Sequence, residues 1–225
     1  MKKWIFSAAL VFGLSLTNTN TQNMMEHGHN LAPRAFKPSS AQYVHPDSVV
    51  TGHLSVKGMK LTGFAGTDLK KMQDAFAVLE QVVNSAEFKN KVINFKNTKG
   101  ERKFASNNGL SNEEIFEQFM EGRETLQTNT PGEMNFFLKL YNNRWSRVVG
   151  WTTPDTNQIN INRKFFRNYK ANEVAGNLAH EWTHKLGFGH ASAAEHDSVP
   201  YAVGYIVEEM AAKLITSPTQ KVALR

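Results

Sequence analysis

The stretch ANEVAGNLAHEWTHKLGFGH, running from Ala171 to His190, decides how the rest of the chain is read. On a helix turning about 100° per residue, His180 and His184 stand one turn apart on the same side. They can therefore offer two imidazole nitrogens to a single cation. Glu181 projects beside them, placed to hold and deprotonate a water on that cation rather than to ligate it. Glu173, Gly176, Asn177 and Gly187 fall on the histidine side, and Ala175, Leu178, Ala179, Trp182 and Leu186 fall opposite. One face is apolar enough to bury, while the other is polar or small and suits the floor of a cleft.

The residues after His184 sharpen the pattern. With 15 Gly and 8 His in 225 residues, finding Gly187 and His190 at two preset positions is a coincidence of roughly one in four hundred. Glycine at 187 lets the helix end in a left-handed turn, which only glycine enters without steric cost. The chain can then double back and bring His190 to the same cation. Three neutral imidazoles and one water make a tetrahedral site with an open position, the catalytic form of zinc coordination. Zn2+ lowers the pKa of such a water to about 7 and polarises a carbonyl. Glu181 is the candidate base that takes the proton and passes it to a leaving amine.

Outward from this helix the chain alternates between helical and extended patterns. Leu69, Met72, Phe76, Leu79 and Val83 keep the three-four spacing of one buried helix face, with Thr67 or Asp68 as candidate cap. A short strand is predicted at Val92 to Phe95. Ser111 and Glu114 form a capping box ahead of Ile115, Phe116 and Phe119, and Pro131-Gly132 marks a turn. Met134 to Tyr141 alternates as a strand, with Phe136, Leu138 and Leu140 on one side. Trp145 to Trp151 is predicted to return beside it as a hairpin partner. Ile159 and Ile161 form a further strand with a polar outer face, and Ala202 to Ile215 reads as a C-terminal helix. These elements predict an α+β domain.

Ahead of the domain, a basic Met-Lys-Lys start and an apolar run from Trp4 to Leu16 read as a secretory signal peptide over residues 1–20. The run is too short for a membrane span, so no stable anchor is expected once it is removed. The chain is expected to be secreted or periplasmic in a bacterium. Residues 21–60 read as a polar N-terminal arm or pro-segment, in which His27, His29, His45 and His53 are solvated loop histidines. Residues 61–225 are left as the domain. With no cysteine in the chain, disulfides, a thiol nucleophile and thiolate ligands are excluded. A pro-segment blocking the metal would have to use a carboxylate, such as Glu26 or Asp47, or an arm histidine. The net charge of +6 is scattered rather than gathered on one block, which argues against a nucleic-acid partner.

His180-Glu181-x-x-His184-x-x-Gly187-x-x-His190 resembles the zinc signature of the metzincin metalloendopeptidases. The resemblance implies a zincin-like domain with a small mixed sheet, an active-site helix and a C-terminal helix. It further implies a zinc peptidase, a hydrolase that cuts polypeptide substrates as an endopeptidase. On the same resemblance, Met134 to Tyr141 is the strand against which an extended peptide adds, and Tyr201 is a candidate catalytic tyrosine, with Tyr205 competing. Metzincins place a methionine in a turn beneath the metal, commonly within Ser-x-Met. Here that stretch reads Ser198-Val199-Pro200-Tyr201, with proline in the methionine's place. A gluzincin-type site offers an alternative third ligand in Glu208 or Glu209, and His196 and Asp197 are further candidates. An amidase acting on cell-wall peptides, or a zinc-stabilised binding protein without turnover, are the competing functions.

Overall fold

Phe136, Leu138 and Leu140 are all buried, as the alternation of their strand requires, and the strand that carries them lies inside the sheet. The computed structural model describes residues 52–122, 124–126, 130–152, 156–192 and 194–216. The leader, most of the arm and His27, His29 and His45 lie outside the described residues. Strands β1 (Ser55–Thr62), β2 (Glu133–Tyr141), β3 (Gly150–Thr152) and β4 (Gln158–Asn162) form one sheet in the order β1-β2-β4-β3. The first three of these neighbours run parallel, and β3 lies antiparallel along β4 at the edge. Helices α1 (Gly66–Val83), α2 (Ala86–Ile93), α3 (Asn112–Glu121), α4 (Arg163–Phe166), α5 (Ala171–Lys185) and α6 (Val199–Thr216) complete an α+β domain. No helix among the described residues is long and apolar enough to cross a membrane. β1 begins at Ser55, within the span read as arm.

Helix α1 buries Met72, Ala75, Leu79, Val82 and Val83, and Phe76 stacks on Phe136 with ring centroids 5.6 Å apart. Its N-cap is Ala65, without a side-chain bond. Thr67 and Asp68 thus lie inside the first turn, where Asp68 faces Arg163 at 3.8 Å. The capping box of α3 forms as its sequence predicts, with both reciprocal bonds in place.

Three expectations give way to tertiary context. Val92 and Ile93 end helix α2 instead of opening a strand, because Ser85 caps that helix through Phe88 N and sets Phe88 and Val92 one turn apart in the core. Gly150–Thr152 pairs with β4 and not with β2. β2 already has parallel neighbours on both edges, which suits so apolar a strand. The outer face of β4 is buried as well: Asn160 and Asn162 are covered. Asn162 Nδ2 donates to the carbonyls of Asn143 and Val148, so a polar side chain is used to tie down the 142–149 loop.

Candidate metal centre

Helix α5 lies across the core, with Trp182 fully buried and its ring edge-on to Phe136 at 5.7 Å. The histidine side of α5 is not an open cleft floor, because α6 packs onto it. Gly176 and Gly204 meet there so closely that a methyl at 176 would lie 2.8 Å from the Gly204 carbonyl oxygen. His180 is consequently 6% exposed.

The helix ends as Gly187 predicts. Gly187 has φ +93°, Gly187 N donates to His184 O, and Phe188 N donates to Thr183 O, both at 3.0 Å. These are the two bonds of a Schellman motif. The reversal also turns the Phe188 carbonyl toward His184, whose Nδ1 donates to it at 2.8 Å. With Nδ1 holding the proton, the Nε2 lone pair is free for a ligand. His180 is fixed in the same manner by a hydrogen bond to the Pro200 carbonyl at the start of α6. The remaining carbonyls at this helix end are capped from afar: Lys185 O by Thr125 N, Leu186 O by Gln118 Nε2, and Gly187 O by Asn108 Nδ2.

Three residues beyond the turn, His190 comes back to the pair. Its ring centroid lies 5.4 Å from that of His180 and 5.0 Å from that of His184. One ligating nitrogen from each histidine falls within 4.8 Å of the others. His180 Nε2 and His184 Nε2 are 3.2 Å apart. Two nitrogens on one tetrahedral ion, each at about 2.05 Å, stand about 3.3 Å apart. Burial, reinforced by the neighbouring imidazoles, holds both groups well below the ordinary histidine range, His184 at about 4. Neutral imidazoles so arranged can hold a metal ion.

Glu181 is buried beside them, and burial pushes its carboxyl up to about 8. Its Oε2 has no hydrogen-bond partner among the described residues, and neither has Nδ2 of Asn177, one turn earlier on the helix. Both side chains abut Gly150 at the start of β3: a methyl there would lie 3.1 Å from Glu181 Oε1 and 3.2 Å from Asn177 Oδ1. A buried carboxyl with an unsatisfied oxygen is costly by itself, and a cation at the imidazoles would stabilise its charged form.

The other candidates divide clearly. Tyr201 is buried, its ring 4.7 Å from both His180 and His190, and burial raises its hydroxyl pKa. Tyr205 instead lies within hydrogen-bond distance of the exposed His196, 3.2 Å from Oη to Nδ1. Asp197 is occupied in the fold, accepting from Thr98 N and Oγ1. Glu209 points outward to Lys213 at 2.8 Å and Lys91 at 3.5 Å. Glu208 packs against Gly176, a turn short of His180. Neither glutamate joins the three histidines.

Gly150 and the carbonyls of Phe188 and Pro200 were not singled out from the sequence as parts of the centre. The glycine had a signal, since a lone glycine in a strand marks close backbone approach; the carbonyls had none. No family model, no curated protein and no solved structure matches the chain, so the centre is judged on its own geometry.

Proposed function

We propose that the chain is a zinc-dependent endopeptidase of metzincin-like type, exported from the cell, with His180, His184 and His190 as the ligands. The observation that supports this best is a buried carboxyl with an unsatisfied oxygen, Glu181, beside three convergent imidazoles. A binding module without turnover needs the imidazoles and has no use for the carboxyl. The gluzincin-type alternative is disfavoured by the outward ion pairs of Glu209 and the packing of Glu208.

Bound zinc supplies a Lewis acid that acidifies water and polarises the scissile carbonyl. Glu181 takes the proton of the attacking water and returns it to the leaving amine. Its buried position keeps bulk water from competing for that proton. Asn177 and Gly150 set where the carboxyl sits, and Tyr201 closes the centre on the α6 side. β2 is enclosed by β1 and β4, so an extended polypeptide would add instead to the outer edge of β3, next to Glu181.

The test is elemental analysis of the purified protein together with casein hydrolysis, beside Glu181→Gln. One zinc per chain is expected in both proteins, with activity in the variant reduced by about 10²–10⁴. No stoichiometric metal under metal-replete conditions would sink the proposal. One zinc with full activity in the variant would remove Glu181 from the mechanism.

A further inference from the structure

The loop that leads from β2 into β3 presents an aromatic residue to solvent on a rigid mount. Trp145 is 81% exposed, whereas Trp182 is fully buried. A tryptophan so placed is out of pattern for a surface that only meets water. Asn143 Oδ1 accepts from Trp145 N and Ser146 N at 3.1 Å, and Ser146 Oγ accepts from Val148 N at 3.0 Å. Asn162 clamps the base of the loop, and Lys164 Nζ donates to the Ser146 carbonyl at 3.1 Å. The Tyr141 hydroxyl lies beside both Ser146 and Trp151, which brings the loop against β3. Trp151, 43% exposed, directly follows Gly150, the residue against Glu181.

The charge of this stretch of chain has one sign. No Asp or Glu lies between Glu133 and Asp155 in the sequence, while Lys139, Arg144 and Arg147 do. The Arg144 guanidinium stacks on Trp145, 4.8 Å from its ring centroid. Neither Arg144 nor Arg147 forms an ion pair among the described residues. A stacked guanidinium keeps its outer N–H groups for a carboxylate, and the indole keeps a face for an apolar or aromatic side chain.

We infer that Trp145, Arg144, Arg147 and Trp151 form a substrate subsite beside the metal centre, selecting peptides that carry acidic side chains next to an aromatic one. This rests on the peptidase reading and adds the class of peptide. Trp145 stacks on the aromatic side chain, the two arginines take the carboxylates, and the adjoining β3 edge takes the peptide backbone.

The experiment uses the zinc-loaded Glu181→Gln protein, which holds peptide without cutting it. Isothermal titration calorimetry at low salt compares two peptides of equal length around one phenylalanine, flanked in one by glutamates and in the other by lysines. The acidic peptide is expected to bind at least about fivefold tighter. Trp145→Ala should weaken it about tenfold, the loss of a modest aromatic anchor. Arg144→Gln with Arg147→Gln should abolish the discrimination. All three side chains are exposed, so zinc content and melting temperature should stay unchanged. Equal binding of the two peptides, or no effect of Trp145→Ala, overturns the inference. So does tighter binding of a neutral chitooligosaccharide, which would make the loop a sugar platform. If the unmodified protein hydrolyses casein while the peptides bind equally, only the subsite fails. If it binds zinc without hydrolysing casein while the discrimination holds, the loop remains a peptide-binding surface and the peptidase reading fails.

Discussion

At the scale of single residues, the centre depends on what is missing at position 150 as much as on what is present at 180, 181, 184 and 190. Gly150 leaves room for the Glu181 carboxyl and the Asn177 amide against the β3 backbone. A methyl there forces the carboxyl to give by a few tenths of an ångström while leaving the imidazoles alone. Gly150→Ala is therefore expected to keep one metal per chain and to lower kcat/KM about tenfold, since small misplacements at a reacting centre are expensive. Parallel metal analysis and peptide hydrolysis check this, and an unchanged kcat/KM would mean that Glu181 tolerates the crowding. His180, Glu181 and His184 were legible in the sequence from their spacing on one helix, and His190 from the glycine turn placed ahead of it. Gly150 was not, because its importance comes from a contact between a strand and a helix far apart in the chain.

At the scale of elements, α5 depends on two glycines that act differently. Gly187 ends the helix in the left-handed region, where another residue costs about 1–2 kcal/mol. Its turn also delivers the Phe188 carbonyl to His184. Gly187→Ala should lower Tm by several degrees and weaken metal binding, read by calorimetry and by competition with a chelating dye. Gly176 lies in the helix interior, where alanine would by propensity be better by about 1 kcal/mol. Here a methyl meets the Gly204 backbone and Glu208 Cβ, each at 2.8 Å, and a backbone carbonyl cannot step aside cheaply. Overpacking of about 1–3 kcal/mol should outweigh the propensity gain, so Gly176→Ala is expected to be destabilising in urea unfolding. A stabilised variant would show that α6 is free to shift away. The left-handed turn was readable from the position of Gly187 alone. The glycine contact was not, and the histidine side of α5 was accordingly expected to be open.

At the scale of the whole molecule, the C-terminal end of α5 is where distant parts of the chain meet. Lys185 and Glu124 form a buried ion pair at 3.7 Å, and Lys185 Nζ also donates to the Thr156 carbonyl at 2.6 Å. The pair connects helix α5 to the segment after α3 and to the approach to β4. Removing one partner leaves a charge in the interior and typically costs about 3–5 kcal/mol. Lys185→Ala should therefore be strongly destabilising in urea unfolding, and Lys185→Met combined with Glu124→Leu should recover most of the loss. If Lys185→Ala is as stable as the parent, the pair is not holding the helix end.

By itself the sequence determined the local features of this protein: the helix period of α1 and α5, the capping box of α3, the turn at Gly187 and the convergence of three histidines. Each depends on residues within about a dozen positions, where backbone sterics and helical geometry act without help. Tertiary structure alone decided the pairing of β3 with β4, the burial of Asn160 and Asn162, the closing of α6 over His180, and the carbonyls that orient His180 and His184. These depend on which apolar surfaces are covered and which polar groups find partners once the chain has folded back on itself. A strand's neighbour or a glycine's contact is a property of two segments together, and neither segment carries it alone.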